Sequence, residues 1–328
     1  MRKFLTIISC YLVALMVLAW LTEKLIDQRL ANGSRFYFQA DWHDLSNHNA
    51  EILFVGNSRT YRHVNPFEVE KRLKKKCEII ASSGQTTHLL WLKFKQYLKG
   101  NKCPSEVYLQ FDPYFIAEIN DLYGLDNFRT TFFRDRVDMT SLENYNGYSD
   151  YYRYFPLAAV DFDLVRKILL NDTIPARESY EATHGFLGLY KSWSGKWQHP
   201  EITELPSQRI SNYLDSFAVF CKNNNVKLYL IYPPQSTPSY KLVTNKHLLE
   251  EKWKRLETLT HQSIPFVNLN EEHDYSDSTF FFNHIHLNGK GINQYMEDLL
   301  TDQRLFTASR PGTLMNAQSL NAPENVKP

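Results

Sequence analysis

Residues 51–59 of this 328-residue chain read EILFVGNSR, and this stretch decides the fold class. Glu51–Val55 is a short apolar run that stops at Gly56, a pattern typical of a strand buried on both faces of a parallel sheet. The polar residues after Gly56 then lead into a helical pattern. The stretch therefore predicts a strand, a turn and a helix in the order that parallel α/β proteins use.

The helical pattern after this turn carries its own start signals. Asn65 suits the N-cap, Pro66 suits the first helical position, and Glu68 completes a capping box. Val64 and Val69 are spaced to pack together as a hydrophobic staple. We therefore predict a helix that starts at Pro66.

The same alternation continues along the chain. Four further apolar runs predict strands: Glu78–Ala81, Glu106–Phe111, Val226–Tyr232 and Pro265–Leu269. Amphipathic patterns with apolar residues at i, i+3, i+4 and i+7 lie between and after them. Five strands that alternate with helices predict a three-layer α/β/α domain built on a five-stranded parallel sheet.

The chain begins with an uncharged apolar stretch, Phe4–Leu21, directly after Arg2 and Lys3. Eighteen residues reach about 27 Å as a helix, close to the hydrocarbon thickness of a bilayer. Ala19 to Leu21 do not form the small-residue site at which a signal peptide is cleaved. We predict a transmembrane anchor over residues 1–21, with the N-terminus cytoplasmic and the body extracytoplasmic, or periplasmic if the source is bacterial.

Three regions follow the anchor. Residues 22–50 predict a stem, 51–308 the α/β domain, and 309–328 a disordered tail that has few bulky apolar residues. Within the domain, residues 114–206 form an aromatic-rich insertion between the third and fourth strands. An insertion of this length is a lid or groove wall for substrate, or a packing subdomain, and aromatic content fits both readings.

Charge and cysteine content narrow the function classes. A net charge of +1 argues against a nucleic-acid partner. Four cysteines do not make a disulfide framework in a chain of this length, and their spacing does not resemble a zinc site. Cys10 and Cys221 fit packed thiols, whereas Cys77 and Cys103 each precede a strand and could pair in an oxidising compartment. We expect no metal and no cofactor.

Two polar motifs fall where an open parallel sheet binds ligands, beyond the carboxyl ends of its strands. Ser58 follows the first strand within GNSR, and His286 lies in NHIHLNG, directly before the last helical pattern. A histidine presented there could take a proton from a serine if the fold brings the two ends of the chain together.

These motifs resemble those of the SGNH (GDSL-like) hydrolases, in particular the membrane-anchored members of the cell envelope. The resemblance rests on GNSR after strand one, Gly84 after strand two and HLN before the final helix. It implies a flavodoxin-like strand order, with Ser58 as the nucleophile and His286 as the general base. The amides of Ser58 and Gly84 would form part of the oxyanion hole.

The chain departs from the family pattern at two positions. Asn283 stands where the family usually has Asp, three residues before the histidine. It could orient the imidazole but not offset its charge, and Asp274 or Asp277 from the preceding loop could substitute for the missing carboxylate. In place of the third-block Asn, strand three ends with Gln110 and Asp112. Gln110 could donate to the oxyanion if it points inward, and Asp112 could donate only if protonated.

Other readings of the same polar residues stay open. His284 and His286 could ligate a metal with Asp277 as a third ligand. Arg59 could bind an anionic substrate group or form a salt bridge. His63 and His88 follow strands one and two and could line the site, but lone histidines are more often satisfied surface groups.

Two function classes follow. The first is a serine-dependent ester hydrolase or O-acyltransferase that acts on ester-bearing glycans or lipids of the cell envelope. The second is a non-catalytic scaffold, a glycan-binding or envelope-assembly protein whose partners are unknown.

Overall fold

The computed structural model describes residues 2–32, 47–81, 84, 87–116, 186, 188–189, 212–243 and 246–306. Nearly all of the predicted insertion and the whole predicted tail lie outside these residues, as does part of the stem. A lid role for the insertion and disorder in the tail therefore remain predictions.

A five-stranded, fully parallel sheet forms the centre of the molecule. Its strands are β1 Ile52–Gly56, β2 Cys77–Ala81, β3 Glu106–Gln110, β4 Lys227–Tyr232 and β5 Phe266–Asn268. They are arranged in the order β2-β1-β3-β4-β5, which is the doubly wound, flavodoxin-like order. The predicted fold class is confirmed, and each predicted strand is found within two residues of its expected bounds.

Helices cover both faces of the sheet. In chain order the described helices are α1 Arg2–Asn32, α2 Ser58–His63, α3 Pro66–Leu73, α4 Thr87–Gly100, α5 Pro113–Ile116, α6 Tyr213–Asn223, α7 Thr237–Lys241, α8 Lys246–Thr260, α9 Leu269–Glu272, α10 Gly289–Thr301 and α11 Gln303–Phe306. A 3-10 turn, Ser278–Phe280, precedes α10.

Two hydrophobic clusters fill the space between the layers. Because side chains alternate along a strand, Leu53 and Val55 of β1 join one cluster while Ile52 and Phe54 join the other. The first cluster includes buried residues of α4, α6 and α8, and the second includes residues of α2, α3, α10 and α11. Both faces of β1 are therefore buried, which explains why its sequence is a continuous apolar run.

The start of α3 follows its sequence signals only in part. Asn65 Oδ1 accepts from the amide of Phe67 at 3.1 Å, and Pro66 is the first helical residue, as predicted. The predicted capping box is wrong, because the Asn65 amide donates to Met296 Sδ at 3.2 Å rather than to Glu68. Packing of α10 against this turn supplies a tertiary partner that local sequence cannot reveal.

The cysteines are all free. The possible pair of Cys77 and Cys103 is absent, since Cys77 is fully buried at the start of β2 while Cys103 is exposed. Burial raises the pKa of the Cys77 thiol well above its usual value. Cys221 is packed in the core as expected, whereas Cys10 is exposed on α1.

Helix α1 contains the predicted apolar segment. A twenty-residue stretch, Lys3–Thr22, has a mean hydropathy of 2.4, and its most apolar part is not buried against the rest of the described protein. Its length and composition are those of a membrane span, and a signal sequence shares them. The helix continues to Asn32, into the predicted stem, because residues 22–30 are mostly good helix formers.

Candidate active site

Ser58 is the first residue of α2, and only Asn57 separates it from the end of β1. Asn57 is the N-cap of α2, and its Oδ1 accepts from the amide of Arg59 at 3.1 Å. At Gly56, a Cβ atom would lie 1.9 Å from Thr60 Oγ1 and 2.6 Å from Gln110 Oε1. Only glycine therefore allows the first turn of α2 to approach β3 so closely, and this approach fixes where Ser58 is presented.

The loop that carries His286 is held at both of its ends. An antiparallel bridge joins Phe281 to Leu287, and the Phe282 amide donates to the His286 carbonyl at 2.8 Å. Asn288 caps α10 and also donates through Nδ2 to the carbonyl of Phe281 at 3.1 Å. These bonds leave the imidazole little freedom to move relative to α10.

The two motifs meet in space although 228 residues separate them along the chain. Ser58 Oγ lies 2.9 Å from His286 Nε2. On the other side of the ring, His286 Nδ1 lies 3.1 Å from Asn283 Oδ1. That same oxygen accepts from the backbone amides of Ile285 at 3.1 Å and His286 at 2.9 Å. The three side chains form a continuous serine–histidine–asparagine chain.

The hydrogen bonds of Asn283 assign the tautomer of His286. Backbone amides only donate, so the Asn283 atom that faces them is its oxygen. Nδ1 of His286 must then carry the proton that it donates to this oxygen. Nε2 is consequently unprotonated and accepts from the Ser58 hydroxyl, which is the arrangement that a general base requires.

The electrostatic surroundings keep His286 neutral. Burial is the main cause that lowers its pKa to about 3, and the positive charges of Arg62 and Arg59 lower it further. Asn283 contributes no negative charge that would oppose these effects. The imidazole is therefore in its proton-accepting form at any pH near neutral, but it is a weak base.

Gln110 and Asp112 lie beneath the Ser58 turn and support it. Gln110 Oε1 accepts from the Asn57 amide at 2.9 Å and from Thr60 Oγ1 at 2.8 Å, and its Nε2 donates to Asp112. Asp112 is fully buried and also accepts from the Phe115 amide at 3.1 Å. Asp112 could donate to an oxyanion only if protonated; its oxygens accept bonds from Gln110 and Phe115, and an oxyanion role for it stays a prediction. Gln110 is likewise engaged with the turn.

Arg59 belongs to this supporting network. Its Nη2 lies 2.6 Å from Asp112 Oδ2, and its Nη1 donates to Gln235 Oε1 at 3.2 Å and to the Pro233 carbonyl at 3.4 Å. The guanidinium lies over the Tyr232 ring at 5.4 Å. Of the two readings of Arg59, the structure therefore favours the buried salt bridge over an anion-binding role.

Gly84 lies near the same edge of the sheet. Strand β2 ends at Ala81, which pairs with Gly56 at the end of β1, so Gly84 follows β2 beyond the carboxyl ends of the strands. It has a φ of 66°, a conformation that favours glycine. The neighbouring residues 82–83 and 85–86 lie outside the described residues, and the oxyanion role of the Gly84 amide remains a prediction.

His63, which the sequence named only as a residue that could line the site, has a supporting role. It is fully buried, and its Nε2 accepts from the Leu287 amide at 3.0 Å, which ties α2 to the loop of His286. Burial lowers its pKa well below the usual value, in keeping with this acceptor role. His88 is also buried and stacks on Tyr213 with ring centroids 3.8 Å apart. The prediction of surface positions for both histidines is wrong.

The carboxylates near the histidine motif serve other purposes. Asp277 caps the 3-10 turn through the Thr279 amide at 2.8 Å and pairs with Lys290 at 3.1 Å. Asp274 accepts from the Ser276 amide at 2.9 Å. Neither replaces Asn283 as the partner of His286 Nδ1. Within the described ranges, groups of three or more His, Cys, Asp or Glu side chains that could hold a metal ion are absent.

Comparison with known proteins yields weak similarities only. No protein-family model matches the chain, and no curated protein matches it. Similar solved structures include a GDSL-like lipase from Bacteroides thetaiotaomicron VPI-5482, with 15% identity and a TM-score of 0.36 over 78% of this chain and 88% of that one.

Two further solved structures show the same level of similarity. A candidate acylhydrolase from Bacteroides fragilis NCTC 9343 has 13% identity and a TM-score of 0.38 over 85% of this chain and 98% of that one. A candidate platelet activating factor from Streptococcus pneumonia has 10% identity and a TM-score of 0.35 over 89% of this chain and 99% of that one. The site geometry described above does not depend on these similarities.

Proposed function

We propose that this protein is a serine-dependent acyl-ester hydrolase or O-acyltransferase. One observation carries the proposal: the 2.9 Å contact between Ser58 Oγ and His286 Nε2, with Nδ1 of the same ring held by Asn283. A nucleophile within hydrogen-bond reach of a base that a third group orients is the arrangement used for acyl transfer.

In the proposed reaction, Ser58 Oγ attacks the ester carbonyl carbon while its proton moves to His286 Nε2. The carbonyl π electrons move to the oxygen, and the amides of Ser58 and Gly84 are proposed to stabilise the resulting oxyanion. Collapse expels the alcohol, which takes the proton back from His286. Water or an acceptor hydroxyl then attacks the acyl–serine ester, with His286 again as the base, and releases Ser58.

Asn283 in this position predicts a slower enzyme than one with a carboxylate. Its oxygen orients the imidazole and selects the tautomer, but it gives no charge stabilisation to the imidazolium that forms during the attack. A substrate that brings its own negative charge would compensate for this deficit.

The apolar helix α1 supports a membrane-associated location. We propose that it anchors the chain, with the N-terminus cytoplasmic and the catalytic domain extracytoplasmic, and that the substrates are ester-bearing glycans or lipids of the cell envelope. The Arg2–Lys3 pair before the apolar stretch supports this orientation.

A second candidate function is a non-catalytic envelope scaffold. It is favoured by Asn283 in place of an acid and by the engagement of Gln110 and Asp112 in the buried network. On this reading the serine–histidine contact is a remnant without turnover.

The proposal is tested by labelling the full-length protein with a fluorophosphonate probe. We expect labelling of the wild type and none of Ser58→Ala, because the probe forms its covalent bond with the activated hydroxyl. Ser105→Ala is the matched control, since Ser105 is exposed and lies at the opposite end of the sheet, before β3. Labelling that persists in Ser58→Ala would remove Ser58 as the nucleophile. A wild type that neither labels nor hydrolyses esters would favour the scaffold.

A further inference from the structure

Helix α2 presents a single partly exposed face, and the serine lies on it. Arg59, Thr60, Tyr61 and His63 are buried, so Ser58 and Arg62 are the residues of this helix that remain accessible. They are four positions apart, which places their side chains on one face with Cβ atoms about 5–6 Å from each other. Arg62 therefore lies one helical turn from the Ser58 hydroxyl.

Arg62 has no carboxylate partner among the described residues. Among the described residues, its guanidinium lies 5.1 Å from the Tyr61 ring and has neither a hydrogen bond nor an ion pair. The other arginines in the described part of the domain are paired with carboxylates: Arg59 with Asp112, Arg72 with Glu297, Arg255 with Asp215 and Arg304 with Asp302. An unpaired guanidinium next to a reactive serine is a ready site for a carboxylate or phosphate.

The charge of Arg62 also reaches the proposed base. After burial, Arg62 is the largest cause that lowers the pKa of His286, ahead of Arg59. The serine–histidine–asparagine chain contains no negative charge that would balance it. An anion held by Arg62 would offset this charge and make His286 a better base once substrate is bound.

We propose that Arg62 forms a subsite for an anionic group and that the substrates are esters carrying a carboxylate or phosphate a short spacer away from the scissile carbonyl. The proposal rests on the proposed function of Ser58 and names the substrate class of the same site. Sequence analysis gave Arg59 as a candidate for anion binding, but Arg59 forms a buried salt bridge with Asp112. Arg62 is the arginine to which we assign this role.

Binding without turnover tests the subsite directly. In full-length Ser58→Ala protein, affinities of monomethyl glutarate and neutral dimethyl glutarate are compared by NMR titration, with 3-acetoxypropyl phosphate as the phosphate-bearing arm. We expect one or both anionic esters to bind at least about tenfold tighter than the neutral ester, which corresponds to about 1.4 kcal/mol. The better of the two anionic esters identifies the group that Arg62 prefers. Raising the salt concentration should reduce the difference.

Variants assign the preference to Arg62. Arg62→Gln in the Ser58→Ala background should abolish it, Arg62→Glu should reverse it, and Arg62→Lys should keep part of it. Lys71→Gln is the matched control, since Lys71 is an exposed cation on α3, and it should leave the preference intact. Equal binding of all three esters, or a preference that survives in Arg62→Gln, overturns the subsite.

Failure of the proposed function gives a different result. A protein with Ser58 intact that binds the anionic esters tightly, yet neither hydrolyses them nor reacts with a fluorophosphonate, refutes the hydrolase while the anion subsite stands. Hydrolysis of anionic and neutral esters with equal kcat/KM refutes the subsite while the hydrolase stands.

Discussion

Ser58 and Arg59 are neighbours in the chain, yet their side chains enter two different hydrogen-bonded networks. Ser58 is partly exposed and contacts His286, whose other nitrogen is held by Asn283. Arg59 points into the protein and joins the buried network of Asp112, Gln110 and Gln235.

The two networks differ in charge and in how many of their hydrogen-bonding groups have partners. The buried network pairs a guanidinium with a carboxylate, and its donors and acceptors bond to one another and to the turn before α2. The Ser58 network is uncharged, partly accessible and able to accept a proton. The buried network can keep its geometry while the hydrogen bonds of the Ser58 network change. Residues that surround and support a functional site usually have this role.

The largest expected effect is the loss of stability on removal of Asp112 from the buried network. Asp112→Ala leaves Arg59 as a buried, uncompensated charge, so we expect a loss of about 3–5 kcal/mol in the free energy of unfolding. Urea denaturation monitored by circular dichroism measures it. The double variant Arg59→Met with Asp112→Ala should recover part of the loss. A loss below about 1 kcal/mol in the single variant would show that the pair is not a buried structural element.

A negative charge added to the Ser58 network tests whether its lack of charge sets the pKa of His286. Asn283→Asp places a carboxylate at His286 Nδ1, and we expect the pKa of His286 to rise from about 3 toward neutral, by about one to three units. The acid limb of the kcat/KM profile should move to higher pH accordingly. Asn283→Ala serves as the control that removes orientation without adding charge. An unmoved acid limb would exclude His286 as the base.

Activity in these variants also separates the two candidate functions. If the wild type lacks activity and Asn283→Asp gains it, the natural protein is the scaffold. Robust activity in the wild type would exclude that reading.

The contact between the two ends of the chain is tested at His63. His63→Leu removes the acceptor of the Leu287 amide, and an unsatisfied buried donor costs about 1–3 kcal/mol of stability. Because the same bond positions the His286 loop, kcat should fall more than KM changes. His63→Gln, which offers an oxygen in a similar place, should restore part of both. Equal behaviour of the Leu and Gln variants would contradict a positioning role.

The last prediction concerns the dependence of stability on pH. The pKa values of His63, His88 and His286 lie below their unfolded value near 6.5, so the unfolded chain binds more protons between that value and the folded pKa values. This stability contribution is fully present above pH 6.5 and decreases as the pH falls, by about 1.4 kcal/mol per histidine for each pH unit.

His88 offers a clean measurement of this slope. Its pKa is about 3, chiefly because of burial, and it stacks on Tyr213 outside the serine–histidine–asparagine chain. In His88→Phe, the loss of unfolding free energy between pH 6 and pH 4 should be shallower by about 1.4 kcal/mol per pH unit. An unchanged slope would show that His88 is protonated in the folded protein.

Much of the fold could be predicted because its signals are local. The apolar run before Gly56 and the alternation of strands and helices predicted the three-layer architecture, and Asn65 and Pro66 predicted the start of α3. The capping box failed because Met296, from a helix more than 200 positions later, takes the bond that Glu68 would have made. Partners that distant leave no trace in a local pattern.

The candidate site likewise has some features that the sequence predicted and others that depend on tertiary packing. GNSR and NHIHLNG named Ser58, Asn283 and His286, because a residue type at a strand end is visible in the sequence. The burial of Asp112, the diversion of Arg59 into a salt bridge and the role of His63 were not visible, since each depends on which element packs above or beneath it.

By itself the sequence determined the order of elements, the apolar N-terminal stretch and the identity of the candidate site residues, because periodicity and residue chemistry are properties of neighbouring positions. The tertiary structure alone decided that a hydroxyl and an imidazole 228 residues apart lie within hydrogen-bond distance, 2.9 Å from each other. It also decided that one arginine is neutralised in the interior while the next stays available. Distance, burial and charge compensation arise only when the chain folds, so they cannot be read from residue order.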